Sequence, residues 1–276
     1  SVQNTHMNMN QHNQLVSIVT PIYNSAKWVK HLIKVVQEQT YQSWEMIIID
    51  DCSNDETFSV LSEIARCDKR IKVFRNESNL GPGKTRNKAI EIARGRFIAF
   101  LDADDEWCTN KLEVQVSAML ENGYYMSYHD YRHMSSDGKM IGDIVHGPDR
   151  LDWRTHHIHR GVGCLTIMFD RTKGNLPFFP SIDNIIAEDF LAWSNLLNTG
   201  HVGHRIPYDL ARYRLSKNTR SSNKLKAVRS VWYIYRHIEL IPFSQSLFFW
   251  LQYCKNAFLL HRRAVPYINV EKYDNE

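Results

Sequence analysis

No two of the five cysteines in this 276-residue chain stand in a C-x-x-C spacing, and their number is odd. Cys52, Cys67, Cys108, Cys164 and Cys254 therefore form neither a zinc knuckle nor a disulfide framework, which fits a reduced, cytosolic setting. No uninterrupted apolar stretch is long enough to span a bilayer. Residues 1–14 are rich in Asn, Gln and His and lack the apolar run of a signal peptide. They are expected to be a disordered tail or vector-derived residues, with Met7 or Met9 as the natural start. A strong charge of one sign is missing too. The 34 Lys and Arg against 30 Asp and Glu leave a formal net charge of +4, too small to indicate a nucleic-acid partner. There is no internal repeat. What remains is an ordinary globular composition, 43% hydrophobic and 23% charged, with length for one large domain and a modest appendage.

Four short apolar runs alternate with three helical patterns. Leu15 to Thr20 is a buried strand ending at Pro21, Glu45 to Ile49 a second, Ile71 to Phe74 a third and Phe97 to Leu101 a fourth. Between them, Val29, Leu32, Ile33 and Val36 recur at helical spacing. Ser53 and Glu56 read as a capping box for a helix through Phe58, Leu61 and Ala65. Gly81-Pro82-Gly83 leads into a helix through Ile90 and Ala93. Strands that are apolar throughout and alternate with helices predict an α/β fold, a mostly parallel central sheet flanked by helices. In such sheets ligands sit beyond the carboxyl ends of the strands. The sequence puts polar groups there: Tyr23-Asn24, Asp50-Asp51, and Asp102, Asp104 and Asp105. Further on, a helix runs through Leu112, Val116 and Leu120, then strands over Tyr124–Tyr131 and Cys164–Phe169 flank a turn at Ser136-Asp137-Gly138. Glu188 to Asn198 reads as a helix stopped by Gly200.

Several carboxylates at one strand end repel each other unless a cation joins them, and hard oxygen ligands suit Mg²⁺ or Mn²⁺ completed by a diphosphate. A solvated acidic turn would account for Asp102-Ala103-Asp104-Asp105 equally well in isolation; the position after a buried strand is what favours metal. An Asp after the second strand can cap a helix or accept a hydrogen bond from a pyrimidine N–H. Gly83-Lys84-Thr85 matches the end of a P-loop, but Ser78 stands where that motif needs Gly and Pro82 interrupts the loop. The glycines are better read as allowing close backbone approach to a ligand, with Arg86 pairing phosphate oxygens. Glu188-Asp189 is either a favourable acidic helix start or a general base for an acceptor hydroxyl. His156, His157 and His159 lie in an irregular stretch at a spacing that suits no standard metal site.

Taken in order, VSIVTPIYNSAKWV, IIIDDCSNDET, NLGPGKTRNKAI and FLDADDEW resemble the opening strand, base-reading segment, phosphate-side loop and metal motif of the family 2 glycosyltransferases. EDFLAWSNLL is similar to the family's catalytic-base helix, and the resemblance covers about Leu15 to Leu215. GCLTIMFD, EDFLAWSNLL and RSSNKLKA look closest to enzymes of bacterial surface-polysaccharide and teichuronic-acid assembly. The resemblance implies a glycosyltransferase A-type fold with a Rossmann-like nucleotide-binding half. Residues 15–217 would be the catalytic domain, with 15–108 holding the nucleotide sugar and 109–217 the acceptor, and 218–276 a helical extension. It implies that Pro21 and Tyr23 contact the base, Asp51 binds uracil, Asp102 holds the ribose and Asp104 the metal, Mn²⁺ or Mg²⁺. Asn24, Arg86 and Ala103 complete the nucleotide-sugar set, and Asp189 is the catalytic base. Arg212 and Arg214 fall where some relatives place a diphosphate-contacting residue, without a choice between them. The chain lacks the Q-x-x-R-W of processive polymerases, so a single sugar would pass, with inversion, from a UDP-sugar to a saccharide or lipid-linked saccharide.

Three other classes remain to be separated: a P-loop phosphotransferase, revealed by ATP binding; a nucleotidyltransferase, revealed by pyrophosphate release; and a non-catalytic nucleotide-sugar-binding protein, which would lack one of the carboxylates. The C-terminal segment supplies a further expectation. Ser244 to Arg263 reads as a helix with Gln245, Gln252, Asn256 and Arg263 on one narrow stripe and apolar residues elsewhere. Its breadth, with nearby Lys and Arg, suits a membrane surface, and the lipid-linked acceptors of the resembled enzymes imply peripheral attachment at the cytoplasmic face of the inner membrane. Homodimerisation or packing into the core would be competing uses of the same surface.

Overall fold

The computed structural model describes residues 14–159, 162–182, 185–215, 224–263 and 268–269. The expected tail, except Gln14, and the expected boundary at 217/218 lie outside these residues. So does the first half of the RSSNKLKA string.

In chain order the elements are β1 (Val16–Ile22), α1 (Ala26–Gln37), β2 (Trp44–Asp50), α2 (Thr57–Cys67), β3 (Ile71–Arg75), α3 (Pro82–Ile92) and β4 (Phe97–Phe100). There follow β5 (Glu106–Trp107), α4 (Lys111–Asn122), β6 (Met126–Met134), β7 (Met140–Val145), β8 (Arg150–Leu151) and α5 (Trp153–Ile158). A 3-10 turn (Cys164–Thr166) precedes β9 (Met168–Asp170), α6 (Glu188–Asn198) and β10 (Gly203–Arg214). The chain ends with α7 (Lys224–Tyr233), a π-helical turn (Ile234–Ile238), α8 (Phe243–Arg263) and β11 (Ile268–Asn269).

All eleven strands join in one sheet, with a main path β11-β7-β6-β9-β4-β1-β2-β3. β3, β2, β1 and β4 are parallel, as the apolar runs predict. β9 then enters antiparallel to both β4 and β6, so β6 points the same way as β4. β6 has β10 along one edge, parallel, and β9 then β7 along the other. Successive residues of the central strands face opposite sides. Val16, Ile18, Met46 and Ile48 pack with α1, α2 and α4. Val19, Ile47, Ile49 and Phe100 pack with α3 and α6, where Phe100, Phe179 and Trp193 meet edge to face. A third cluster joins α6 to α7, the π-helical turn and the inner side of α8 through Phe190, Leu191, Val231, Tyr235, Phe249 and Tyr253. No helix among the described residues is long and apolar enough to cross a membrane.

Several local expectations are corrected. β1 runs through Pro21 to Ile22, because β4 stops opposite Val19 and asks no ladder hydrogen bond of the proline. Ser53 caps nothing: its hydroxyl donates to Asp50 and accepts the Asn24 N–H, and α2 starts at Thr57. Cys164–Thr166 is a 3-10 turn, and only Met168–Asp170 is strand. The histidine stretch is helical, begun by Asp152, which accepts the Thr155 N–H at 2.8 Å. Gly200 ends α6 as expected, at φ 93°, a conformation L side chains avoid. On α8 the stripe of Gln245, Gln252 and Asn256 borders the buried side, with Asn256 Nδ2 donating to the Ile158 carbonyl at 2.6 Å. The Arg263 side chain lies outside the described residues.

Candidate active site

Because β1 to β4 are parallel, their carboxyl ends form one rim, where Tyr23, Asp51, the 76–81 loop and Asp102 gather. The first two turns are sewn together. The Asn24 N–H donates to Ser53 Oγ at 2.9 Å, and Asn24 Oδ1 accepts the Asn54 N–H at 2.8 Å. Asn24 holds φ 45°, a conformation that Asn tolerates better than most residues. Beside it the Tyr23 ring is 45% exposed, open to stack on a planar ligand.

The two acidic residues after β2 divide the work. Asp50 is fully buried and structural, pairing Arg75 Nε at 3.2 Å and taking both polar groups of Ser53. Asp51 Oδ1 accepts from Asn76 Nδ2 and the Leu80 N–H, both at 2.8 Å, and Oδ2 accepts the Gly81 N–H at 2.8 Å. The loop glycine expected to approach a ligand thus approaches the Asp51 carboxylate. A carboxylate has about four lone-pair sites, so one on Oδ2 is left. Asn76, which the sequence did not single out, also receives Lys88 and donates to Thr85 Oγ1 at 3.1 Å. Thr85 is buried in that contact, not displayed as a P-loop hydroxyl would be.

After β4 the chain turns through four residues with different fates. Asp102 is 39% exposed at its side chain and paired with Arg86. Ala103 is buried. Burial and the neighbouring Asp102 charge raise the Asp104 carboxyl above the usual carboxylate range. Asp105 is buried, accepts the Arg214 N–H at 3.0 Å, and is pushed well up by burial and by Asp104 and Asp102. Arg214 also donates Nε to the Asp104 carbonyl at 2.8 Å and Nη2 to Glu106 at 2.5 Å, with its guanidinium 4.5 Å over the Trp28 ring. One buried arginine from the end of β10 thus fixes the acidic turn. Arg212 is tied to Asp209 at 2.6 Å, so both arginines left open by the sequence are engaged within the protein.

Among the described residues no group of three or more His, Cys, Asp or Glu converges as a metal site. The acidic turn nonetheless fits a cation shared with a ligand. Asp104 is held against ionisation by burial and Asp102, a condition a divalent ion relieves, while one or two carboxylates leave the remaining positions to diphosphate oxygens. His156 and His157 do not compete for this role. His156 Nε2 lies 2.9 Å from the Phe190 carbonyl, and His157 bridges the Trp153 carbonyl and Glu239, each at 2.6 Å.

Arg86 is the centre of the site. Its Nη2 donates to both oxygens of Asp102, at 2.7 and 2.9 Å, and its guanidinium lies 5.4 Å over the Phe179 ring. Burial opposes its charge; Asp102 and, more weakly, Cys164 and Asp189 uphold it. The same residues meet at Cys164, whose thiol is raised by burial, lowered by Arg86 and raised again by Asp102, Asp189 and Asp105. Asp189, in the first turn of α6, thus lies within electrostatic reach of Arg86 and Cys164, and its Oδ1 accepts the Phe190 N–H at 2.8 Å. Its neighbour Glu188 reaches α3: a Cβ added at Gly83 would stand 2.9 Å from Glu188 Oε2. Asn87 clamps the segment above, exchanging hydrogen bonds of 2.8 Å with the backbone of Phe179 in both directions.

Residues 17–172 match the family described as Glycosyl transferase family 2. The chain is 39% identical to the putative teichuronic acid biosynthesis glycosyltransferase TuaG of Bacillus subtilis, over 88% of this chain and 96% of that one. It is 37% identical to an Escherichia coli protein named UDP-Glc:alpha-D-GlcNAc-diphosphoundecaprenol beta-1,3-glucosyltransferase WfgD, over 79% of this chain and 84% of that one. Its fold is similar to the mannosyltransferase PcManGT of Pyrobaculum calidifontis, solved with GDP-Man and Mn²⁺, with a TM-score of 0.62 at 16% identity over 83% of this chain and 65% of that one.

Proposed function

Because the chain belongs to glycosyl transferase family 2, and has the A-type glycosyltransferase fold, we propose that it moves one sugar from a UDP-sugar to an acceptor hydroxyl with inversion. The observation that carries this reading is the Asp102–Arg86 pair at the carboxyl rim of four parallel strands, with Asp189 within electrostatic reach of that arginine. Residues 15–217 act as the catalytic domain, 15–108 for the donor and 109–217 for the acceptor, with 218–276 as the extension.

In this mechanism Tyr23 and Pro21 bound the base, with Asn24 holding their turn. The remaining lone pair of Asp51 accepts the uracil N–H. Asp102 receives the ribose, next to the Ala103 backbone. Arg86 moves charge-assisted hydrogen bonds onto the diphosphate as negative charge grows there. Asp104 would hold Mn²⁺ or Mg²⁺, which supplies charge neutralisation to the leaving diphosphate when bound; Mn²⁺ in the mannosyltransferase complex supports this choice. Asp189 takes the proton of the acceptor hydroxyl as its oxygen bonds the anomeric carbon. The anomeric C–O bond to phosphate breaks on the opposite face, and UDP leaves with the electron pair.

The names of the relatives support a lipid-linked saccharide acceptor in bacterial surface-polysaccharide assembly, a reaction we assign to the cytoplasmic face of the inner membrane. A thermal-shift screen of nucleotide sugars with Mn²⁺ tests the donor, since a ligand of the native state raises its melting temperature. The anomeric coupling constant of the product tests inversion. Stabilisation by ATP alone, or release of pyrophosphate, would overturn the reading.

A further inference from the structure

Among the described residues, the C-terminal helices and their connection carry most of the large exposed apolar side chains. Of twelve large apolar or aromatic side chains exposed among the described residues, eight fall between Tyr233 and Leu259. On α8 the inner line of Ser246, Phe249 and Tyr253 is buried. At about 100° per residue, Leu247 and Leu251 lie close together on the opposite side, and Phe248 and Leu259 widen that arc to about 120°. Leu251 is 54% exposed and Phe248 45%. Exposed Lys255 falls within the same arc.

Charge identifies what covers this face. From Lys224 to Arg263, α7 through α8, the sequence holds seven Lys and Arg and one acidic residue, Glu239. The Glu239 carboxylate is taken up by His157 and Ser194. Subtracted from chain totals of 34 and 30, this leaves 27 basic and 29 acidic residues elsewhere, so the segment from α7 to α8 carries a positive excess that the rest of the chain lacks. Phe243–Arg263 itself contains no Asp or Glu. A broad apolar face flanked by cations and free of carboxylates suits an interfacial helix on anionic lipid. A second copy of the same surface would set like charges against each other.

We propose that the outward face of α8 docks the protein on an anionic bilayer surface, with Leu247, Phe248, Leu251 and Leu259 entering the boundary between headgroups and acyl chains. The docked helix is mechanically continuous with the catalytic one. Ser230 of α7 accepts the Ile186 N–H at 3.3 Å, two residues before Glu188, and α7 and α8 share a core with Phe190 and Leu191. Docking thus holds the start of α6, with Asp189, beside the membrane, where a lipid-linked acceptor presents its hydroxyl. That purpose rests on the acceptor reading above; the docking itself does not.

Co-sedimentation of the full chain with vesicles tests it. Vesicles of phosphatidylglycerol and phosphatidylcholine are expected to bind the wild type at least about tenfold more tightly than phosphatidylcholine alone. Phe248→Glu with Leu251→Glu should reduce that binding by about tenfold or more. Both positions are exposed, so the variant's circular dichroism, melting temperature and transfer to a short, water-soluble acceptor should be unchanged. A wild type that binds neither vesicle overturns the proposal, as does a wild-type dimer in light scattering that the double variant breaks up. Retained vesicle binding without transfer to any acceptor supports docking and counts against the acceptor reading.

Discussion

Arg86 pairs with Asp102 through a single guanidinium nitrogen, at 2.7 and 2.9 Å to the two carboxylate oxygens, while its Nε is buried with no hydrogen-bond partner. A buried cationic N–H without an acceptor is costly, and a diphosphate oxygen would satisfy it. Arg86→Lys keeps the charge and loses the planar fork. Donor affinity, measured by calorimetry with UDP, is expected to fall about 10- to 100-fold, the ~1.5–3 kcal/mol of hydrogen bonds to a charged group. Unchanged affinity would leave Arg86 as a brace for Asp102 alone.

Asp189→Asn keeps an oxygen for the Phe190 N–H and cannot take a proton. Transfer should fall by about two to four orders of magnitude with UDP affinity nearly constant. A fully active Asp189→Asn beside a dead Glu188→Gln would move the base one residue back.

Asp51 does two things, so two substitutions separate them. Asp51→Ala strands the Leu80 and Gly81 N–H groups and should cost about 1–3 kcal/mol in urea unfolding. Asp51→Asn preserves the volume and should blur discrimination among UDP, GDP and ADP. Discrimination that survives Asp51→Asn would make the residue a loop brace only.

EDTA is expected to stop transfer, and Asp104→Asn to weaken metal-dependent UDP binding, read by calorimetry with and without Mn²⁺. Wild-type turnover that persists in EDTA would remove the metal from the scheme.

Lys111 is fully buried, its Nζ has no hydrogen-bond partner, and burial pushes its pKa well below the lysine range. The Trp107 ring, 3.9 Å away, offsets only part of that. Below about pH 10 the unfolded chain gains a proton that the folded one refuses, so stability falls as pH drops toward neutrality. Lys111→Met should raise the urea midpoint near pH 7 and flatten its dependence between about pH 7 and 10. A less stable variant with the slope intact would show that the amine is charged and held.

The rim was legible because three of the four apolar runs end in conspicuous polar groups, and parallel strands must bring such ends together; Asn76, after the third, was missed. What escaped was long-range. β10 carries scattered charges that pair inside the fold, as Arg132 with Asp209 at 2.8 Å, so it shows no clean alternation. Arg214 reaches the Asp104 carbonyl across 110 positions, and no local pattern announces that. Ser53 fits a capping pattern, but Asp50 captured its hydroxyl first. His156 and His157 fell within a helix too short for periodicity to mark, with His159 just past its end.

One hydrogen-bonded sheet passes from β3 through β9 and β6 to β11, under both the 15–108 and the 109–217 stretches of the chain. Nothing in that ladder can open and shut like a hinged jaw. Sealing the reaction from water falls to the rim segments that ride on it: 76–81, 102–106 and the Phe179 stretch pinned by Asn87. Such a chassis can exchange one rim segment for another, leaving the sheet and α6 as they stand.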